Sequence, residues 1–368
     1  MNQNIKLLAM FLVFASLTTM ILGASAAGPT TPNLLIKIYL DPVQEENALG
    51  KGDVDINDWP LSKTFITTYA GNPAITLNEY AEIGEMEFDI NNQLWPTGAI
   101  TAPRVGAKNT FFDPNGARDI AALHFRRAIS HLANKAKYTT TYMGGYGYVM
   151  ETVVPVPALE GFTDYSTLTN STANLDDPWS PGMGGYLYAY DRFKAGQEFT
   201  LGGFQDYDGD TKLEWNLNYP NAWRGALDTE ELPNMKLWAR LDDPNRRQAG
   251  QDLYNELLTA GIPQASGTGA AGLELRIAER SSCFAAAMVN YDYNIYTGGW
   301  SLTADPDWIF DFFHSSMGQY GYANNYPGFK NHDFDPWAEA VKYAPAGSDV
   351  RKRAIEAQWV LGKYCPDV

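Results

Sequence analysis

The chain has 368 residues, of which 43 are Asp or Glu and 27 are Lys or Arg, so its net charge at pH 7 is −16. This excess of acid disfavours binding to nucleic acid, because the phosphates would be repelled. Aromatic residues make up 13% of the chain, more than an ordinary core needs, and we expect some of them to line a binding surface.

Residues 1–26 are predicted to be an export signal. Lys6 precedes an apolar run over residues 7–22, and Ala-Ser-Ala at 24–26 is typical of a cleavage site. A transmembrane anchor is the alternative, which the shortness of the apolar run disfavours. We therefore expect a secreted protein at the outer face of the cell membrane or in a periplasm-like space.

The first predicted elements after the signal are short. Apolar residues alternate over 34–40, which predicts a strand, and a turn with a second short strand is predicted over 50–56. Another short strand is predicted over 88–91. The clearest helix lies between Asp119 and Tyr138, where apolar residues recur at helical spacing. The basic residues of that helix, Arg126 among them, are interpreted as its solvated face.

Residues 146–230 are rich in Gly, Pro, Asn, Asp and Tyr, and a long irregular region is predicted there. It contains a glycosylation sequon at Asn170. It also contains an acidic segment that could surround a structural calcium ion, because carboxylates recur at alternate positions. The predicted ligands are Asp206, Asp208, Asp210 and Glu214. An acidic surface turn without metal is the alternative.

A second organised block begins near residue 234. A strand over 235–241 is followed by a helix that Asp243 caps and Pro244 begins, and a strand over 273–277 comes next. This order predicts a βαβ unit with parallel strands. A last helix is predicted over 350–363.

Catalytic chemistry finds little support in the sequence. The histidines are scattered without cysteine or carboxylate partners at metal-ligand spacing, so they are assigned ordinary surface or capping roles. Asp305 and Asp307 are too close in the chain to act from opposite sides of a sugar ring. The protein is therefore predicted not to be an enzyme. The two cysteines, Cys283 and Cys365, are predicted to be either bridged or two buried thiols.

The most informative stretch runs over 293–337, where a strand pattern meets Gly298, Gly299 and Trp300 and then an acidic turn. Glycines allow close approach of the backbone, and aromatic and carboxylate side chains offer contact area and polar anchors. The stretch therefore favours the binding of an organic ligand.

Five segments in chain order resemble the family 5 extracellular solute-binding proteins of ABC transporters, the dipeptide- and oligopeptide-binding type. Four of them resemble the family's Gly-Glu-Ile-Asp segment, its Phe-Arg-Arg-Ala-Ile helix, its Gly-Gly-Trp strand and its closing helix, and the fifth resembles a Tyr-Pro-Gly-Phe turn. In the order in which they are described here, these segments are residues 48–56, 125–130, 296–307, 356–361 and 326–335.

The resemblance implies an α/β fold, the two-lobed, class II fold of periplasmic binding proteins, with a lobe I that is expected to be incomplete. The family's long N-terminal portion is not matched, and the chain stops where the family returns to its first lobe, so truncation at both flanks is expected. Residues 27–230 are predicted to form lobe I, residues 231–345 lobe II, and residues 346–368 a helix returning toward lobe I.

The resemblance also implies a monomeric binding component that closes over its ligand and delivers it to a membrane permease. Tyr296, Gly299, Trp300 and Asp305 are predicted to line the cleft, with a lesser contribution from Asn91. Trp300 would stack on the ligand and Asp305 would accept hydrogen bonds from it; a packed interlobe core residue is the alternative for Trp300.

The ligand class stays open at this point. Peptide binders carry an aspartate shortly after the Gly-Trp pair, whereas Thr303 or a gap stands at that position here. Peptides or a related oligomeric nutrient are predicted as ligand, oligosaccharide is the alternative within the same family, and a secreted glycoside hydrolase is the competing class.

Overall fold

The computed structural model describes residues 33–39, 41–57, 60–79, 82–100, 110–150, 153–155, 188–216, 229–318, 324–345 and 350–368. The predicted export signal and the sequon at Asn170 lie outside these residues. Among the described residues, no helix is long and apolar enough to cross a membrane. Helices and strands are mixed along the chain, and the predicted α/β class is confirmed.

The helices, numbered in chain order, are α1 Pro42–Lys51, α2 Lys63–Tyr69, α3 Ala117–Leu132, α4 Arg192–Leu201, α5 Pro244–Thr259, α6 Arg280–Phe284, α7 Trp308–Phe313, α8 Asp335–Lys342 and α9 Val350–Tyr364. Shorter helical segments are Lys135–Lys137, Tyr138–Tyr142, Ala285–Val289 and Ser315–Met317. The strands are β1 Gly84–Ile90, β2 Phe204–Gln205, β3 Glu214–Asn216, β4 Thr229–Glu231, β5 Asn234–Arg240, β6 Gly272–Ala278 and β7 Ile295–Ser301.

The chain divides into two compact units, residues 1–60 and 61–368. In the first unit, the strands predicted over 34–40 and 50–56 are wrong. Residues 33–39 form neither helix nor strand, and Leu34 is 84% exposed, because alternation yields a strand only where another strand and a core accept it. Asp41 instead caps α1 by accepting a hydrogen bond from Val43 N, and Gly52 ends it at φ +77°.

The second unit is built on a four-stranded sheet in the order β1-β7-β5-β6. β1 is antiparallel to β7, whereas β7, β5 and β6 run parallel to one another. Successive side chains of a strand point to opposite faces, so the register assigns each residue to one face. One face is apolar and joins α3, α4 and α5 in a buried core that includes Phe88, Ile90, Phe125, Leu237, Leu253, Leu273 and Ile295.

The predicted βαβ unit is confirmed as β5, α5 and β6, with β5 and β6 parallel. Asp243 caps α5 by accepting hydrogen bonds from Asn245 N (3.0 Å) and Arg246 N (3.1 Å), and Pro244 occupies its first turn. Proline is tolerated there because its missing N–H would have no partner inside the helix.

Removal of this cap is expected to destabilise the fold modestly. Asp243→Ala leaves two N–H groups of the first turn without their acceptor, and we expect the free energy of unfolding to fall by about 1 kcal/mol. Urea unfolding followed by circular dichroism measures this change. A variant as stable as the wild type would show that water replaces the carboxylate at no cost.

The region predicted to be irregular is only partly so. Its described part contains α4 and a second, three-stranded sheet in the order β2-β3-β4. These strands have only two or three residues each, which is too short for periodicity to reveal them. They still contribute to the core, since Phe204 and Trp215 are 1% and 3% exposed.

Helix α3 confirms the predicted helix, but its basic residues are not all solvated. Arg126 is only 3% exposed and donates to the carbonyl oxygens of Thr97 (2.7 Å), Tyr364 (3.0 Å) and Cys365 (3.0 Å). A guanidinium can be buried in this way because its donors match several backbone acceptors at once. Arg126 therefore ties α3 to the end of α9.

The predicted lobe boundary after residue 230 stays a prediction. The four-stranded sheet contains strands from both sides of this boundary. β1 comes before residue 230 in the chain, β7 comes after it, and the two strands pair along their whole length. At the other edge of β1, Phe88 exchanges backbone hydrogen bonds of 2.8 and 3.1 Å with Val368. The chain segments before and after the predicted boundary thus share one sheet.

Candidate functional site

The second face of the four-stranded sheet, here called the polar face, carries charged and aromatic side chains. Glu85, Glu87 and Asp89 of β1 lie directly opposite Trp300, Gly298 and Tyr296 of β7. On the neighbouring strand Trp238 pairs in register with Tyr296, and Arg276 of β6 lies beside Trp238 with its guanidinium 5.5 Å from the ring centroid. Tyr296 is buried in an aromatic cluster with Tyr293 and Tyr326, and Trp238 and Trp300 pack against that cluster, so this face combines packed aromatic rings with charged groups.

The two adjacent glycines of β7 make room on opposite faces. A Cβ on Gly298 would overlap the Asp89 carboxylate and lie 2.7 Å from its Cγ. A Cβ on Gly299, at φ +151°, would lie 2.5 Å from both the Glu85 carbonyl oxygen and Arg246 Nη2. The Gly-Gly pair of the sequence is therefore explained by close approach of a carboxylate on the polar face and of a guanidinium on the other face.

Three carboxylates converge on the polar face beside Gly298. Oxygen atoms of Glu87, Asp89 and Asp367 all lie within 4.8 Å of one another. Asp89 is 1% exposed, and its Oδ2 makes no hydrogen bond of ordinary geometry to a described residue. Asp367 lies opposite Asp89 in an antiparallel bridge and accepts a 2.9 Å hydrogen bond from Ile90 N. Three carboxyl groups are thus held close together at this position.

Burial shifts the protonation of these groups. Loss of water around Glu87 raises its pKa to about 7, although hydrogen bonds from Asp89 and Trp300 and the charge of Arg246 oppose the shift. Burial also raises the pKa of Asp89 and Asp367 well above the usual range, and the charge of Glu87 adds to both shifts. The pKa of Glu85 is raised for the same two reasons. Proton uptake near neutral pH is therefore a property of this face.

Aromatic rings border the carboxylates. Trp300 is partly exposed, and its ring centroid lies 4.7 Å from that of Phe312 and 6.3 Å from that of Tyr326. Tyr326 is 1% exposed, and its hydroxyl is close enough to lower the pKa of Asp89. Burial raises the pKa of Tyr296 to about 12, so this hydroxyl stays a neutral donor. Flat apolar surface and hydrogen-bonding groups are thus adjacent.

The structure places the sequence-predicted ligand residues in different settings. Tyr296 and Trp300 share the polar face, whereas Gly299 faces α5. Asn91 is 1% exposed, and its amide donates to Tyr293 O (3.0 Å) and accepts from Gln93 N (3.0 Å), which is a structural role. Asp305 is exposed, and its backbone oxygen accepts a hydrogen bond from Thr303. Their part in ligand binding stays a prediction.

Several residues of the polar face were not predicted. The alternation Glu-Met-Glu-Phe-Asp over 85–89 is a signal that could have located three of them, because it gives a strand one acidic face. Asp367 carries no such signal, since its place beside Asp89 depends on the path of the chain after α9. Tyr326 likewise reaches the site from a loop.

The remaining candidate residues have other partners. Cys283 and Cys365 are buried and free, so the bridged alternative is not observed. His124 Nδ1 lies 2.6 Å from Glu198, and His131 Nδ1 lies 2.9 Å from the carbonyl oxygen of Ala189. Carboxylate oxygens of the four predicted calcium ligands do lie together, within 4.8 Å of one another.

Comparison with known proteins gives matches at the level of structure. No protein-family model matches the chain, and no curated relative matches it either. The oligopeptide-binding protein AppA from Bacillus subtilis, solved with a nonapeptide, is similar with a TM-score of 0.61 and 18% identity. The match covers 90% of this chain and 52% of AppA.

Two further solved structures are similar. NikZ from Campylobacter jejuni, solved with Ni(L-His), has a TM-score of 0.64 and 16% identity, over 93% of this chain and 55% of NikZ. A periplasmic oligopeptide-binding protein of an ABC transporter from Thermotoga maritima, solved with mannohexaose, has a TM-score of 0.62 and 14% identity, over 90% of this chain and 52% of its own length.

The chain thus spans about half the length of each of these solved structures. At this identity the likeness concerns the fold, and the resemblance seen in the sequence is confirmed at that level. This chain has the periplasmic-binding-protein-like fold of the ABC-transporter binding proteins, over about half of their length.

Proposed function

We propose that this protein is the extracellular solute-binding component of an ABC importer. The observation that carries the proposal is the fold, which is shared over nine-tenths of the chain with binding proteins of such transporters. It would capture its ligand by hinge closure, the closed state being favoured by the additional contacts that the ligand makes there. A membrane permease would be its partner, and no catalytic step is proposed.

The polar face supports a peptide as ligand. Carboxyl groups of Glu85, Glu87 and Asp89 form a row on one strand. Burial raises their pKa values, and a positively charged amino group beside them would favour their ionised form and pair with it. A peptide has an ammonium group at its N-terminus, whereas a neutral oligosaccharide has none. AppA from Bacillus subtilis, which is similar in fold, was solved with a nonapeptide.

An oligosaccharide is the second candidate, because of the aromatic surface. Trp300 is partly exposed and lies against Phe312 at a centroid distance of 4.7 Å, which provides a flat surface against which a sugar ring can stack. The protein from Thermotoga maritima, which is similar in fold, was solved with mannohexaose.

Calorimetric titration of the full chain with three probes tests these proposals. The probes are an unmodified nonapeptide, the same peptide with an acetylated N-terminus, and mannohexaose. If the ammonium group is recognised, acetylation weakens binding by about tenfold or more, since a charged hydrogen bond contributes about 1.5–3 kcal/mol. Equal affinity of the two peptides would contradict recognition by the carboxylates. Tighter binding of mannohexaose would favour the second candidate, and a folded protein that binds none of the probes would contradict the capture of either ligand class.

Truncation of Trp300 locates the ligand on the protein. We expect Trp300→Ala to weaken binding of the preferred probe by about tenfold or more, because a central aromatic contact contributes about 2 kcal/mol. Trp337→Ala is the matched control, since Trp337 is an exposed tryptophan on α8, outside the polar face. An equal effect of the two substitutions, or none, would place the ligand elsewhere.

The location outside the cell is part of the same proposal. It depends on the predicted export signal over residues 1–26, and N-terminal sequencing of the protein recovered from its native cells tests it. A mature chain that begins near residue 27 is the expected result. A chain that retains residues 1–26 would contradict cleavage.

A further inference from the structure

The turn between β2 and β3 gathers four carboxylates that the function proposed above does not use. Asp206, Asp208, Asp210 and Glu214 each place a carboxylate oxygen within 4.8 Å of the others. Asp208 and Asp210 are exposed at the tip of the turn, whereas Glu214 begins β3. Exposed acidic turns are common, so the decisive residue is the buried one.

Glu214 is 2% exposed and therefore has almost no contact with water. Its Oε2 accepts a 2.7 Å hydrogen bond from Tyr207 N. Its Oε1 has no hydrogen-bond partner among the described residues. A buried anionic oxygen without a donor is costly, and such atoms are usually satisfied by a hydrogen bond or by an ion. The unpaired oxygen belongs to the carboxylate that lies beside those of the three aspartates, where a cation would supply its partner.

The charges around the turn also favour the binding of a cation. Glu231 of β4 lies directly opposite Glu214 in the β3–β4 register and adds a further negative group. Lys212 pairs with Asp210, but its side chain is 48% exposed and it lies at the rim of the turn. The single positive charge of this lysine does not balance the negative charges of the five carboxylates. A divalent cation would neutralise the excess and supply the partner that Glu214 lacks.

We propose that Asp206, Asp208, Asp210 and Glu214 bind a calcium ion. All four donors are carboxylate oxygens, which is the ligand type of hard cations, and zinc would instead favour nitrogen or sulfur. Calcium accepts six to eight oxygen ligands in flexible geometry, so backbone carbonyl groups and water can complete the shell of an exposed turn. Magnesium demands a stricter octahedron and is reluctant to lose its water. This site is independent of the ligand proposed for the polar face.

Calcium at this turn would stabilise the neighbouring core. Trp215 follows Glu214 directly, is 3% exposed, and lies 4.6 Å from the ring of Trp95 between centroids. Leu213, on the other side of Glu214, donates a 2.9 Å backbone hydrogen bond to Gly261. An ion that fixes Glu214 would therefore fix the hairpin against Trp95 and the loop after α5.

Titration of the full chain, freed of metal with a chelator, with Tb³⁺ and then with Ca²⁺ tests the proposal. Tb³⁺ resembles Ca²⁺ and is excited by a nearby tryptophan, here Trp215. We expect saturable Tb³⁺ luminescence that Ca²⁺ displaces at about 10⁻⁵ to 10⁻³ M and Mg²⁺ does not. Ca²⁺ is also expected to raise the Tm by roughly 2–8 °C when it is in large excess over its Kd.

Two substitutions connect the binding to these residues. Asp208→Asn removes one ligand from the exposed tip, where it does not disturb packing, and is expected to weaken Ca²⁺ binding at least about tenfold. Glu87→Gln alters the other group of close carboxylates and is expected to leave the Ca²⁺ affinity unchanged. A folded wild type without saturable binding, an Asp208→Asn variant with wild-type affinity, or loss of binding in Glu87→Gln would each overturn the proposal.

Discussion

Gly298→Ala is expected to lower the free energy of unfolding by about 2–4 kcal/mol, although it adds only one methyl group. The added Cβ would overlap the carboxylate of Asp89 and lie 2.7 Å from its Cγ. Asp89 is 1% exposed, so its short side chain can move aside only by displacing its neighbours or the backbone of β1. Urea unfolding at constant pH measures the loss.

Two comparisons make this prediction specific. Gly196→Ala is the matched control, because Gly196 lies inside α4 with no atom within 4 Å of the added Cβ, and it is expected to be neutral or to stabilise by up to about 1 kcal/mol. In an Asp89→Ala background the clash disappears, so Gly298→Ala should cost less than about 1 kcal/mol. An equal cost in both backgrounds would show that the carboxylate is not the cause.

Stability is expected to fall as the pH rises from about 4.5 to about 7, and Glu87 is expected to account for on the order of 2 kcal/mol of this loss. Its pKa is about 7 in the folded protein and about 4.5 as an ordinary glutamate, because burial disfavours the charged form. Between these values the folded state binds more protons than the unfolded state. Stability is therefore fully present below pH 4.5 and is lost as the pH passes through 7.

Glu87→Gln tests the assignment, because glutamine cannot ionise. The variant and the wild type should have similar stability at pH 4.5, and the variant should be the more stable protein at pH 8. Chemical unfolding at several pH values gives both curves. If stability depends on pH in the same way in both proteins, another group titrates. Glu85, Asp89 and Asp367 are then the next candidates, because their pKa values are also raised.

Both predictions concern the same place, where β7 contributes glycine and β1 contributes acid. Gly298 leaves the space that the Asp89 carboxyl group occupies. That group is one of the three whose oxygens lie within 4.8 Å of one another on the polar face. A site that keeps carboxylates partly desolvated and incompletely paired has a stability cost, which the binding of a cationic group would offset.

Elements with a strong local signal were predicted correctly. The helical spacing of apolar residues located α3, and Asp243 with Pro244 located the start of α5 because capping depends on adjacent residues. The parallel pairing of β5 with β6 followed from the intervening helix. These features are decided within about twenty residues of chain, so the sequence sufficed.

Elements that depend on distant partners were missed. Leu34 and Ile36 alternate as in a strand, yet residues 33–39 form none, because a strand requires a neighbour. Arg126 looked like a solvated helix residue and is buried, because backbone carbonyls of Thr97 and Tyr364 reach it. Neither partner is visible from the helix sequence itself.

The sequence by itself determined the α/β class, the βαβ unit and the acidic turn at residues 206–214, and it located the strand that carries Trp300. Only the tertiary structure decided which carboxylates surround that strand. Glu87 and Asp89 are about two hundred residues from Gly298 in the chain, and Asp367 lies near its other end, yet their oxygens lie within 4.8 Å of one another beside β7. Local physics selects helices, caps and turns, whereas strand register and burial, which depend on the whole chain, place these charges together and shift their pKa values.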